Sequence, residues 1–151
     1  MKNLAMFLVL AGLLMFALAP EVRADNGCSN ADLQGAYSFL VFGTVSANNP
    51  LGLAAGAAFV AAGRTIYEGN GKAHGVIRMS LDGTITDLLN WSADYALDPS
   101  TCTLTKTITI ESGPYAGAQL HFFGSAGDDF KELRFITTDT GTAISGTARK
   151  Q

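Results

Sequence analysis

Tight-turn signals at hairpin spacing constrain this chain more than any other feature. Across residues 59–97, three runs rich in strand-forming residues are joined by Gly69-Asn70-Gly71 and by Asp82-Gly83. Asn, Asp and Gly tolerate the positive φ that short hairpin turns demand. The chain therefore runs out, back and out again, each strand antiparallel to the last.

The remaining sequence repeats that plan. Residues 33–45 alternate, with Leu33, Tyr37, Phe39, Val41 and Val45 on one face and Gln34, Ser38 and Thr44 on the other. Residues 52–62 are rich in Ala and Gly and poor in charge. Propensity allows a helix there, but the glycines and flanking strands favour a loop feeding a second strand that ends at Glu68. Residues 72–81 form a third strand with Ala73, Gly75, Ile77, Met79 and Leu81 on one side. Residues 84–97 form a fourth, placing Ile85, Leu89, Trp91, Ala93, Tyr95 and Leu97 on one face, interrupted by Asp87. Asp98-Pro99-Ser100-Thr101 is a turn.

From Thr103 onward, threonines alternate with Leu104, Lys106, Ile108 and Ile110, a threonine face against an aliphatic one. Further strands are expected at 118–125, 131–139 and 142–149. Eight strands at hairpin spacing leave no room for crossover helices. The expected fold is all-β, an eight-stranded up-and-down antiparallel β-barrel, with a β-sandwich as the alternative. A membrane-spanning barrel is disfavoured, because the outer faces carry many Ser, Thr and charged groups.

Residues 1–24 read as a cleaved signal peptide: Lys2, then an apolar run, then Pro20 and a small-x-small-like Val22-Arg23-Ala24. Residues 25–151 make one domain, secreted or periplasmic, with no membrane span after cleavage. The whole chain has formal net charge −3, and losing Lys2, Arg23 and Glu21 makes the remainder one unit more negative. No basic run exists, so a nucleic-acid partner is not expected. The two cysteines, Cys28 and Cys102, are expected to pair in an exported chain. Two isolated cysteines and two scattered histidines suggest neither a metal site nor a cofactor.

Candidate site residues are few. Lys106 falls on the aliphatic face of its strand, where a charge is costly unless paired or near the barrel mouth. It is read either as a partner for a ligand carboxylate or, preferentially, as a strand-end side chain reaching water. His121, among Leu120, Phe122 and Phe123, is read as a ligand contact or general base against a structural role. Tyr37, Phe39, Trp91 and Tyr95 share inward faces. They line a cavity or, preferentially, fill a core. No catalytic set is recognisable.

The opening Cys28-Ser29-Asn30-Ala31-Asp32-Leu33-Gln34-Gly35-Ala36-Tyr37-Ser38-Phe39, the Tyr67-Glu68-Gly69-Asn70-Gly71 hairpin and the closing Phe135-Ile136-Thr137-Thr138-Asp139-Thr140-Gly141-Thr142-Ala143-Ile144-Ser145-Gly146-Thr147-Ala148 resemble a group of exported bacterial proteins of uncharacterised function. More loosely, Gly35-Ala36-Tyr37 with Arg149 resembles the Gly-x-Trp and last-strand Arg pairing of lipocalin-type (calycin) barrels, which include allene oxide cyclases. Tyr stands for Trp, and the helix before the last strand is missing, so no active-site role is carried over. The functional expectation is a binding module for a small apolar ligand in or at the mouth of the barrel. The alternatives are an envelope interaction protein with a filled core, and a cyclase- or isomerase-type enzyme.

Overall fold

A computed structural model describes residues 27–151. The leader expectation, on residues 1–24, lies outside the described residues.

The chain is a meander that closes on itself. The strands are β1 (Gln34–Val45), β2 (Ala58–Glu68), β3 (Lys72–Leu81), β4 (Thr84–Ile85), β5 (Leu89–Leu97), β6 (Thr103–Ile110), β7 (Gln119–Gly127), β8 (Glu132–Thr137) and β9 (Thr142–Lys150). Neighbours pair antiparallel in chain order, and β1 closes the ring against β9, with Tyr37 opposite Lys150 and Val45 opposite Thr142. Eight strands form the barrel, and β4 lies outside it. Two short 3-10 turns, Asn30–Asp32 and Gly113–Tyr115, are the helical elements among the described residues. The stretch 52–62 is loop up to Ala57 and strand beyond it.

The alternation sends apolar side chains inward. Leu33, Tyr37, Val41, Phe59, Tyr67, Met79, Trp91, Ile110 and Leu133 are all buried in one continuous core. Glycines make room for the largest of these rings. Gly75 stands opposite Trp91 and Gly63 opposite Phe39. A Cβ at Gly75 would lie 2.8 Å from the Trp91 ring and 1.9 Å from the Arg64 carbonyl oxygen. The ring takes the space that a side chain would occupy.

The expected fourth strand needs correction. Thr86 bonds Met79 in both directions, through its backbone N–H (2.8 Å) and its Oγ1 (3.0 Å). Leu89 is the next ladder partner, opposite Ile77. Two steps on β3 thus face three on the other strand, so one extra residue is accommodated as a bulge. A one-residue slip moves side chains to the opposite face. Ile85, expected inside, therefore points out, 69% exposed. Asp87 is exposed in the connection and does not interrupt the interior.

Both ends of the barrel are covered. At one end Cys28 and Cys102 form a disulfide with Cα atoms 5.3 Å apart. Beside it, Tyr95 Oη donates toward the Asn30 and Leu33 carbonyls (3.2 and 3.1 Å) and accepts from the Gly69 N–H (3.1 Å). Tyr37 Oη donates to the Phe130 carbonyl (2.5 Å). At the other end, the β1–β2 loop is organised by buried Asn49, which bonds Ser46, Leu51 and Leu53. Leu51 and Leu53 are thereby packed on the core.

Candidate functional site

Lys106 is the centre of the interior. It lies on β6 opposite Tyr95 of β5 and Phe122 of β7, and only 7% of it is exposed. Sequence favoured a strand-end lysine reaching water, and the closed barrel overturns that. Residue 106 is midway along its strand, and its parity is set by Leu104 and Ile108, so its side chain has nowhere to go but in. Its Nζ donates to Tyr67 Oη at 3.1 Å. The amine also lies 5.3 Å from the ring centroids of Tyr67 and Trp91, 5.6 Å from Phe135 and 6.0 Å from Phe122. Among the described residues, no carboxylate pairs with it. Desolvation by burial lowers its pKa from 10.5 to about 7. Ring faces attract a cation and act against that shift.

The aromatic set is locked edge to face. Tyr37 meets Tyr67 at 5.2 Å, Tyr67 meets Tyr95 at 5.1 Å, Phe39 meets Trp91 at 6.2 Å and Phe122 meets Phe135 at 5.5 Å. Tyr37 and Tyr95 commit their hydroxyls to backbone carbonyls, which leaves the Tyr67 hydroxyl for Lys106. Burial raises the pKa of all three tyrosines, so they remain protonated around neutrality. The Trp91 indole N–H is buried and has no partner.

A cavity of about 30 Å³ remains among Phe39, Phe59, Trp91, Lys106, Phe122 and Phe135. Drug-sized ligands need roughly 300–1,000 Å³, so the interior is a filled core with one small void. Five of the six residues singled out in the sequence, Tyr37, Phe39, Trp91, Tyr95 and Lys106, do point inward. His121 does not. It stands on the outer face, its backbone N–H donating to Asp139 Oδ2 (2.7 Å) and its Nδ1 2.6 Å from Asp139 Oδ1. Tyr67, Phe122 and Phe135 complete the cage and were not singled out, although each shares the inward parity of its strand. Among the described residues, no group of three or more His, Cys, Asp or Glu gathers as a metal site.

The outer wall carries a second arrangement. Val60, Phe42, Ser145, Ile136 and Phe123 are successive cross-strand partners, forming one row over β2, β1, β9, β8 and β7. Its four large members are exposed, Phe42 by 56% and Ile136 by 53%. Ser145 is small, so a surface groove of about 400 Å³ opens between Phe42 and Ile136. The next row reads Arg78, Ala62, Leu40, Thr147, Arg134, and the row after that Arg64, Ser38, Arg149, Glu132. Residues 33–63 contain no charge. The exposed large hydrophobics, Leu40, Phe42, Val60, Ile85, Leu88, Phe123 and Ile136, lie toward the β1–β2 loop end or midway along the wall. Toward the opposite end the outward side chains are Glu68, Lys72, His74, Asp94, Glu132 and Arg149.

No family model matches the chain, and no curated protein or solved structure matches it either.

Proposed function

We propose that the protein is a filled-core docking barrel that rests, through the β1–β2 loop end of its wall, on an anionic lipid surface. One observation carries this reading: the exposed apolar row is bordered by all four arginines of the described residues. Side chains two apart on a strand are about 7 Å apart. Seating Phe42, Val60, Ile136 and Phe123 at the acyl boundary therefore brings Arg78 and Arg134 to phosphate height, with Arg64 and Arg149 one row behind. Interfacial binding combines shallow apolar burial with about 1 kcal/mol per basic residue. Glu132 is held between Arg134 (2.7 Å) and Arg149 (2.8 Å), so it does not oppose that field alone. Asp82, Asp87 and Glu111 stand on the β3–β6 side of the same end, and Asp139, in the β8–β9 turn, has a side chain only 10% exposed and held by His121, so the barrel leans on β1 and β9. An apolar guest inside the barrel is the weaker reading, given the small void.

The test is co-sedimentation with vesicles of phosphatidylglycerol and phosphatidylcholine in equal parts, against pure phosphatidylcholine. Binding is expected to the anionic vesicles, to weaken with salt, and to fall more than about tenfold in Phe42→Asp/Ile136→Asp. Thr107→Asp, on the far wall, leaves it unchanged. Equal binding by the wall variants, or a dimer broken by Phe42→Asp without any vesicle binding, overturns the lipid reading.

A further inference from the structure

The cage around Lys106 has an imbalance of hydrogen-bonding groups. A lysine ammonium has three donors and no acceptor. Here one donor meets Tyr67 Oη, and among the described residues nothing meets the other two. Tyr67 Oη accepts that bond, and its own proton has no acceptor. The Trp91 indole N–H has no partner. Lys106 and Trp91, the polar side chains that line the void, thus each have a donor to spare, and among the described residues no carboxylate balances the cation. Buried polar groups left unpaired are costly, and buried charges are normally paired. The void of about 30 Å³ lies against Lys106 and Trp91. That is room for one particle of water size or slightly larger.

We propose that this void is a binding site for a single small monovalent anion of halide size, paired with the Lys106 ammonium. A divalent oxyanion is too large for the space and carries a second charge that nothing here neutralises. A water molecule would accept from the donors, but its own protons would have only ring faces to meet. The titratable groups facing the amine are Tyr67 from β2 and, beyond it, Tyr37 from β1 and Tyr95 from β5. All three are kept neutral by burial, so the anion meets no competing ionised group. This inference concerns the interior and is independent of how the outer wall is used.

Bromide is the probe. Trp91 is the only tryptophan in the chain and reports the cage directly. Because the barrel is closed, the protein is refolded at pH 6 in sodium bromide or in sodium gluconate, whose anion is too large for the void, at equal ionic strength. Saturable quenching of Trp91 is expected in bromide, together with a melting temperature about 5 °C above that in gluconate. Lys106→Met is expected to lose both effects. This variant removes the charge while filling the same space, so it keeps the fold. Crystals grown in bromide should show an anomalous peak beside Nζ. The same salt response in wild type and Lys106→Met, or a void holding only water in those crystals, overturns the proposal.

Discussion

Replacing Lys106 by methionine tests the energetics of the interior. The unfolded chain carries a protonated Lys106 below its ordinary pKa of 10.5, whereas the folded chain protonates it only below about 7. Between those values the unfolded state holds one more proton, so stability rises with pH by about 1.4 kcal/mol per unit. At pH 7 and below the full cost, roughly 5 kcal/mol, is present; above 10.5 it is gone. The buried tyrosines act in the opposite direction at the alkaline end. Their raised pKa values mean the unfolded state ionises first, so stability falls again above about pH 10. Wild-type stability therefore peaks near pH 10.

Methionine removes the cost together with the ring attraction, which acts only on the charged amine and offsets part of that cost. It also leaves the Tyr67 hydroxyl unpaired, at about 1–3 kcal/mol. The variant should be up to about 4 kcal/mol more stable than wild type at pH 7 and up to about 2 kcal/mol less stable at pH 10. Urea unfolding in halide-free buffer, followed by Trp91 fluorescence from pH 6 to pH 10, measures the difference. If the two stability curves run parallel across that range, the amine is not titrating in a dry cage and the reasoning fails.

Three further outcomes follow from the geometry. Opening the Cys28–Cys102 bridge releases a loop with a sequence separation of 74 residues, and should lower stability by about 4 kcal/mol, read as a dithiothreitol-dependent drop in melting temperature. Gly75→Ala places a methyl 1.9 Å from the Arg64 carbonyl oxygen and 2.8 Å from the Trp91 ring; a loss of about 3 kcal/mol or more with a shifted Trp91 emission is expected, and an unchanged emission would argue against the ring's position. Asp128, Asp129 and Phe130 run consecutively at φ of 51°, 50° and 62°, so Asp129→Gly should stabilise the β7–β8 turn by about 1 kcal/mol in urea titrations.

Strand count, direction and facing were legible in the sequence wherever alternation was unbroken. Thr103 to Ile110 is the clearest case, because one face is threonine and the other aliphatic. The bulge at residues 86–88 was not legible. It depends on Thr86 meeting Met79 across the sheet, and a parity argument carried through one strand cannot sense an extra residue inserted by its neighbour. Lys106 was correctly placed on the inward face and wrongly given a way out. Its fate depended on where β6 lies relative to the closed wall, which local pattern does not encode. The cage partners Tyr67, Phe122 and Phe135 come from three different strands, so only the closure register brings them to one amine. His121 shows the converse. Its apolar neighbours in sequence suggested the interior, but its own parity on β7 put it outside, beside Asp139. The outer apolar row was equally hidden, since Val60, Phe42, Ile136 and Phe123 become neighbours only through ladders linking distant parts of the chain.

The seam between β1 and β9 has a consequence for biogenesis. Nine ladder positions join the first strand of the fold to the last, and the Gln151 N–H reaches the Ala36 carbonyl at 2.9 Å. Until residues 142–151 have emerged from whatever machinery delivers them, β1 and β8 present bare hydrogen-bonding margins. The nascent polypeptide must therefore stay uncommitted along its whole length, or be sheltered, and complete its shape in one late step. A chain truncated before Thr142 should accumulate as aggregate rather than as a looser version of the same molecule.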